Sequence, residues 1–267
     1  MCLIVYRVVH MKTSVNLYFE KGIDAKTKID TIKALGYDEF FTTVYDQCET
    51  MTFIEQIRYA KEIGLPCTMV HCSYYEPRLN SFWLDGAEGD DITEDYIRQI
   101  NLCGALTKNF VVHLNCSSDC PVSEIGIARL RKILKVCEKY HLNLCVENLC
   151  SVNEIPYIFA KLEHPLLKIC FDSGHHHWLM PNFNICREYA KYITTLHLHE
   201  NNGTADDHKK LTIGSSVFNY LKENLSYLDS EIVLTSELKN AGKNWVEYLR
   251  QNLVSLKELG NLLSCAK

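Results

Sequence analysis

Cys170-Phe171-Asp172-Ser173-Gly174-His175-His176-His177 and, further along, Leu196-His197-Leu198-His199-Glu200 decide how the chain is read. An apolar run precedes each (Leu167 to Phe171, then Ile193 to Leu196), and each run stops abruptly in Asp or His. Apolar strands that end in metal-grade side chains are what the catalytic rim of a parallel α/β barrel looks like in sequence. A lone His is more often a satisfied core or surface residue than a ligand. Asp172 and His197, however, close successive strands in the same phase, and they read as metal ligands. His176 and His177 have no such phase and receive no role.

Outward from this stretch, apolar runs of strand length alternate with amphipathic stretches of helical length, the βα signature. Strands are expected at Val15–Phe19, Glu39–Val44, Pro66–Val70, Asn109–Val112, Asn143–Val146, Leu167–Phe171, Ile193–Leu196 and Glu231–Thr235. Helices are expected from Asp24 to Leu35, Met51 to Ile63, Thr93 to Leu106, Pro121 to Tyr140, Glu154 to Leu162, Asn182 to Tyr192, Ser216 to Leu225 and Trp245 to Leu259. Gly36 and Gly64 stand where helices stop. Cys72 to Asp91 reads as a long loop, rich in aromatics, of the kind that carries function. Eight strands and eight helices in one chain of 267 residues make a single-domain (β/α)8 TIM barrel the economical fold. Residues 1–10 read as an N-terminal extension, the alternative being an extra edge strand.

The third to eighth strands end in His71, His113, Glu147, Asp172, His197 and Glu237, so all six point into one mouth. Glu147, Asp172, His197 and Glu237 form a carboxylate and imidazole set suited to Mn2+, Co2+, Mg2+ or Zn2+. His175 follows Asp172 on the loop leaving the strand. Asp206 and His208, an Asp-x-His pair in the loop after His197, supply further groups for a metal or a substrate. Tyr74, Trp83 and Trp178 are expected to wall the mouth.

A net charge of −5 provides no basic field for nucleic acid or an anionic membrane surface. The 13 cysteines are odd in number and scattered, without a CxxC pair, which fits a reducing cytoplasm. The apolar start is too short to span a bilayer and lacks the pattern of a secretory signal. No feature fixes an oligomeric state, and a homo-oligomer is allowed.

These residues carry a resemblance. Val70-His71-Cys72-Ser73-Tyr74, Val112-His113, Val146-Glu147-Asn148, Phe171-Asp172-Ser173-Gly174-His175, Leu196-His197-Leu198-His199-Glu200-Asn201-Asn202-Gly203, Asp206-x-His208 and Ser236-Glu237 resemble the xylose-isomerase-like barrel superfamily. Its members include sugar isomerases and epimerases, inosose dehydratases and endonuclease IV. Similarity to the sugar-epimerase branch implies one divalent metal on Glu147, Asp172, His197 and Glu237. It also implies Glu147 and Glu237 as the proton-shuttling pair and His175 as a contact to sugar oxygens. The chain departs from that branch after Asn202, where ketose 3-epimerases carry Arg and Gly203 stands here, which tells against a free ketose. Similarity to endonuclease IV implies three zinc ions on His71, His113, Glu147, Asp172, His175, His197, Asp206, His208 and Glu237, and hydrolysis of abasic DNA. Against that branch stand the acidic charge, the loop Tyr45-Asp46-Gln47-Cys48 without basic residues, and Gly214-Ser215-Ser216 in place of its Gly-x-Gly. A non-catalytic metal-binding barrel is a third class, opposed by the intact acid/base pair. The expectation is therefore a metal-dependent isomerase or epimerase of a small sugar, polyol or sugar phosphate, with a phosphoester hydrolase as the alternative.

Overall fold

A computed structural model describes residues 11–44 and 50–265. The expectations for residues 1–10 and for Tyr45 to Cys48 lie outside the described residues. Eight parallel strands form the barrel: β1 (Thr13–Asn16), β2 (Glu39–Thr43), β3 (Cys67–His71), β4 (Asn109–Val112), β5 (Asn143–Glu147), β6 (Leu167–Asp172), β7 (Ile193–His197) and β8 (Leu234–Ser236). Each pairs with its sequence neighbours, and β1 pairs with β8. The ring closes between β7 and β8 through a parallel bridge, Leu198 with Ser236, in which Leu198 N donates to Thr235 O at 2.8 Å. This is the (β/α)8 barrel.

Among the described residues the helices are α1 (Ala25–Leu35), α2 (Phe53–Glu62), α3 (Ala87–Cys103), α4 (Glu124–Tyr140), α5 (Glu154–Lys161), α6 (Ser173–Leu179), α7 (Ile185–Glu188), α8 (Ser216–Asn224) and α9 (Trp245–Cys265). Local chemistry sets their ends. Asp24 caps α1 by accepting from Thr27 N, and Gly36 closes it at φ 89°, a left-handed conformation that glycine adopts freely. Thr52 and Glu55 form a capping box on α2. No helix of the described residues is long and apolar enough to cross a membrane, and the described cysteines are free thiols.

Alternate strand residues feed two apolar layers, as a period of two requires. Phe40, Val70, Phe110, Leu144 and Ile169 join the larger core that includes helix residues such as Ile29, Ile133 and Leu256. Phe41, Met69, Val111, Cys145 and Cys170 form a separate cluster, with Tyr18 packed on it. Phe41 stacks on the His197 ring at 5.2 Å, so this second cluster is the floor on which the site rests.

Five expectations change. Cys72 to Asp91 is not a plain loop: it holds a 3-10 helix over Glu76–Trp83, and α3 begins at Ala87. Arg129 on α4 gathers this segment by donating to the carbonyls of Phe82 (2.8 Å), Leu84 (2.6 Å) and Gly86 (3.1 Å), and it pairs with Asp90 at 3.0 Å. Trp83 does not wall the mouth. It is fully buried, donates to Leu114 O at 2.8 Å, and packs so closely on Gly126 that a Cβ there would lie 2.1 Å from its ring. His175 stands on α6 rather than on a loop, because Asp172 Oδ1 accepts from His175 N at 2.7 Å and starts that helix. The strands differ from expectation mainly at their ends: β1 starts at Thr13, and β8 is the short Leu234–Ser236. Asn182 to Tyr192 resolves into α7 and a 3-10 turn.

Candidate active site

Glu147 ends β5 and is the hub of the mouth. Its Oε2 lies 3.0 Å from His113 Nε2, 3.3 Å from His71 Nε2 and 3.1 Å from His197 Nδ1, and its Oε1 lies 3.2 Å from His175 Nδ1. Asp172 ends β6, where Asn148 clamps its backbone: Asp172 N donates to Asn148 Oδ1 at 2.7 Å and Asn148 Nδ2 donates to Asp172 O at 2.9 Å. Glu237 follows β8. Its Oε1 accepts from the Tyr18 hydroxyl at 2.6 Å, while Oε2 faces His197 Nδ1 at 3.2 Å. One donor atom from each of Glu147, Asp172, His197 and Glu237 lies within 4.8 Å of the others.

This set fits a divalent cation. His197 is fully buried, yet among the described residues neither of its ring nitrogens has a hydrogen-bond partner; Nδ1 approaches the two glutamate oxygens without hydrogen-bond geometry. Leaving a buried polar group unsatisfied costs about 1–3 kcal/mol, and buried carboxylates grouped around such a nitrogen call for positive charge. Cys170 also lies near Glu147 and His197, packed in the apolar cluster with Met69 and Cys145, and burial pushes its thiol well above the usual range. Carboxylates with imidazole are hard to borderline donors, compatible with Mn2+, Co2+, Mg2+ or Zn2+.

The electrostatics follow from this crowding. Burial works against ionising Glu147, but His197 and His113 prevail and hold its carboxyl well below the ordinary range. Glu237 is likewise held low against burial by His197 and His208. Burial drives His113 down to about 4. His175 moves the other way: burial disfavours its charge, yet Asp172 and Asp206 raise it well above the usual value. Burial and the Glu237 charge push the Tyr18 hydroxyl well up, which keeps it a donor.

All nine sequence-selected residues converge. His71, His113 and Glu147 form one compact group, with His71 Nε2 3.1 Å from His113 Nε2. Asp206 Oδ2 lies 2.6 Å from His208 Nε2 and 3.7 Å from His175 Nε2. His176 turns away to Phe183 O, and His177 bonds Asn201 Oδ1 and Ser216 Oγ. Sequence reading missed His199, Tyr18 and Lys239. His199 is fully buried, and its Nε2 lies 3.0 Å from Asp172 Oδ2. It fits only because residue 174 is Gly: a Cβ there would lie 2.0 Å from the His199 ring. Its signal was available, since His199 is two residues beyond His197 and shares its face. The same offset relates Lys239 to Glu237. A cavity of about 220 Å³ opens here, lined by Tyr18, His71, Tyr74, Glu237 and Lys239 among others. Tyr74 is a wall, as expected, whereas Trp178 on α6 is not part of the lining.

Fold and mouth together define a barrel that gathers groups able to hold a metal at the C-terminal ends of its strands. The chain belongs to the xylose isomerase-like TIM barrel family, whose family model matches residues 29–259. Solved structures share the fold at low identity. D-psicose 3-epimerase from Clostridium cellulolyticum H10, with D-tagatose, is 16% identical at a TM-score of 0.67, covering 95% of this chain and 96% of that one. The 3-keto-D-glucoside 4-epimerase YcjR from E. coli is 17% identical at 0.68, covering 93% and 99%. D-allulose 3-epimerase from Methylomonas sp., with D-allulose, is 13% identical at 0.70, covering 93% and 97%. No curated protein sequence matches the chain.

Proposed function

We propose that the chain is a divalent-metal-dependent isomerase or epimerase of a small sugar, polyol or sugar phosphate. The observation that carries this reading is the meeting of Glu147 and Glu237, whose donor oxygens lie within 4.8 Å of each other beside a cavity of about 220 Å³. Its fold neighbours include epimerases of keto sugars, which supports the same class. Glu147, Asp172, His197 and Glu237 would hold the cation, which when bound supplies Lewis acidity to a substrate carbonyl and the hydroxyl beside it.

The chain's own groups account for the rest. Glu147 and Glu237 are ionised, the state in which a carboxylate accepts a proton from the carbon next to a carbonyl. One of the pair takes that proton. For isomerisation the carboxylic acid so formed returns it to the neighbouring carbon. For epimerisation the other carboxylate must first gain a proton from solvent, which it then gives to the opposite face. Tyr18 donates to Glu237 Oε1 and fixes the direction of that carboxylate. His175, held beside Asp172 and Asp206, is placed to donate to a substrate oxygen. The acidic chain and the small cavity suit a small molecule better than a duplex.

A second reading, a trinuclear phosphoester hydrolase, is favoured by one observation, the tight His71, His113 and Glu147 group that leaves room for a further cation. One experiment separates the two. Protein loaded with Mn2+ or Co2+ is incubated in deuterated water with a panel of keto sugars, polyol-derived ketoses and their phosphates. Deuterium is expected in the carbon position next to the carbonyl of at least one, with exchange reduced about 10²–10⁴-fold in Glu237→Gln. Equal exchange by wild type and variant would remove Glu237 from the chemistry. Zinc-dependent incision of an abasic duplex, lost in Glu147→Ala, would install the hydrolase instead.

A further inference from the structure

The Asp206–His208 arm carries too much for one ring nitrogen. His208 Nε2 meets Asp206 Oδ2 at 2.6 Å and Lys239 Nζ at 2.6 Å. That nitrogen has either a proton or a lone pair. With the lone pair it accepts from the ammonium and has no proton left for the carboxylate. The groups facing Asp206 Oδ2 are then the ammonium, 3.8 Å away, and the His175 ring, whose Nε2 lies 3.7 Å away and belongs to α6 rather than to the arm. The arm is also built to hold its position. His208 is 2% exposed and adopts φ 48°, uncommon for a residue other than glycine, and Lys239 N donates to His208 O at 3.2 Å. Asp206 Oδ1 and His208 Nδ1 are buried without hydrogen-bond partners among the described residues. His199, His208 and Glu237 supply donors within 4.8 Å of one another on the same side.

We infer that the Lys239 ammonium is the resident cation of the Asp206–His208 arm, and that it keeps a second divalent metal out of this arm. The lysine lies two residues beyond Glu237, on the same face of the chain leaving β8, so its head reaches the arm from the strand that supplies one of the four central donors. An ammonium offers charge and protons but no vacant coordination position, so the arm is neutralised without gaining a metal-bound water. Centre and arm thus divide their cations: a divalent metal on Glu147, Asp172, His197 and Glu237, and a side chain of the protein on Asp206 and His208. The inference rests on the four-donor reading of the centre made above.

Zinc content tests it, without recourse to activity. Wild type, Lys239→Met and Lys239→Arg, each with and without His208→Ala, are loaded with zinc, freed of excess by gel filtration and analysed for zinc per chain. Lys239→Met is expected to gain an equivalent over wild type and to lose it again with His208→Ala, whereas wild type and Lys239→Arg should lose none with His208→Ala. Lys239 is exposed, so its replacement leaves the core packing intact; Lys239→Gln serves as a second neutral variant. The inference falls if Lys239→Met and Lys239→Gln take up no more zinc than wild type. It falls equally if His208→Ala removes zinc from the lysine-bearing protein. A wild type that binds no zinc at all defeats the four-donor reading, while zinc gained in Lys239→Met and lost with His208→Ala still upholds the role of Lys239.

Discussion

The two ends of one barrel treat buried polar groups in opposite ways. At the N-terminal end, Lys12 pairs with Glu39 Oε1 at 3.0 Å, Glu39 Oε2 accepts from Thr68 Oγ1 at 2.8 Å, and Thr68 Oγ1 reaches Ser14 Oγ at 3.0 Å. Asn109 donates to Thr68 O, and Asn143 donates to Asn109 Oδ1. The network closes on itself and has its own cation. At the C-terminal end, His197 has no hydrogen-bond partner at either nitrogen among the described residues, and His199 Nδ1, His208 Nδ1 and Asp206 Oδ1 are also left over. The same strands therefore end in a satisfied plug on one side and in an array of open donors on the other. Polar groups that satisfy one another stabilise a fold, whereas those left over await a ligand.

The sharpest way to break this contrast is to loosen the open end. His199 Nε2 lies 3.0 Å from Asp172 Oδ2, and loss of a side chain that holds a ligand carboxylate in this way typically costs about 10–100-fold in metal affinity. His199→Ala should weaken Mn2+ binding by that much in calorimetric titration, and His199→Gln, which retains a side-chain donor, should recover part of it. Unchanged affinity in His199→Ala would mean that Asp172 needs no such support, and that the open end is less connected than its geometry implies.

How much of this was legible in sequence follows from where the residues sit on their strands. Glu147, Asp172 and His197 are the last residues of β5, β6 and β7, so an apolar run that stops in a donor marks them directly. His199 and Lys239 lie two residues further on, where the strand pattern has already ended and only the period of two points to the mouth. Tyr18 was hidden because it sits in an apolar stretch and looks like core. The helix α6 was hidden as well. Ser-Gly-His-His-His is a poor helix former, and the helix depends on Asp172 as its cap and on the packing of Gly174 against His199. Trp83 was misplaced because aromatic content alone cannot tell a pocket wall from a core residue that Arg129 helps to fix.

Glu154 sharpens the comparison from a third position. Its carboxylate accepts from Asn115 Nδ2 at 2.8 Å and from Trp83 Nε1 at 3.2 Å, so it has partners, but among the described residues it has no cation. Burial accordingly raises its pKa from 4.5 to about 7. A carboxyl whose folded value lies above its unfolded one favours folding below the unfolded value. That stability is lost as the pH rises toward about 7. Wild type should therefore lose about 1–2 kcal/mol relative to Glu154→Gln between pH 5 and pH 8, less than the full shift implies because water entry relaxes a buried charge. Denaturant midpoints of metal-free protein across that range give the difference. Parallel curves would show that hydrogen bonds alone suffice to hold a buried carboxylate ionised.

The satisfied end makes the complementary and smaller prediction. Thr68→Val keeps the side-chain shape but removes the hydroxyl that serves both Glu39 Oε2 and Ser14 Oγ. Glu39 retains Lys12 through its other oxygen, so the loss should be that of an ordinary hydrogen bond, about 1 kcal/mol in denaturant unfolding. Because the apolar layer of Phe41, Met69, Val111, Cys145 and Cys170 separates this network from the mouth, Mn2+ affinity should be the same in Thr68→Val and wild type. A variant that lost affinity as well as stability would mean that the two ends are coupled through that layer. The polar plug would then help to position the donors above it instead of only closing the barrel below.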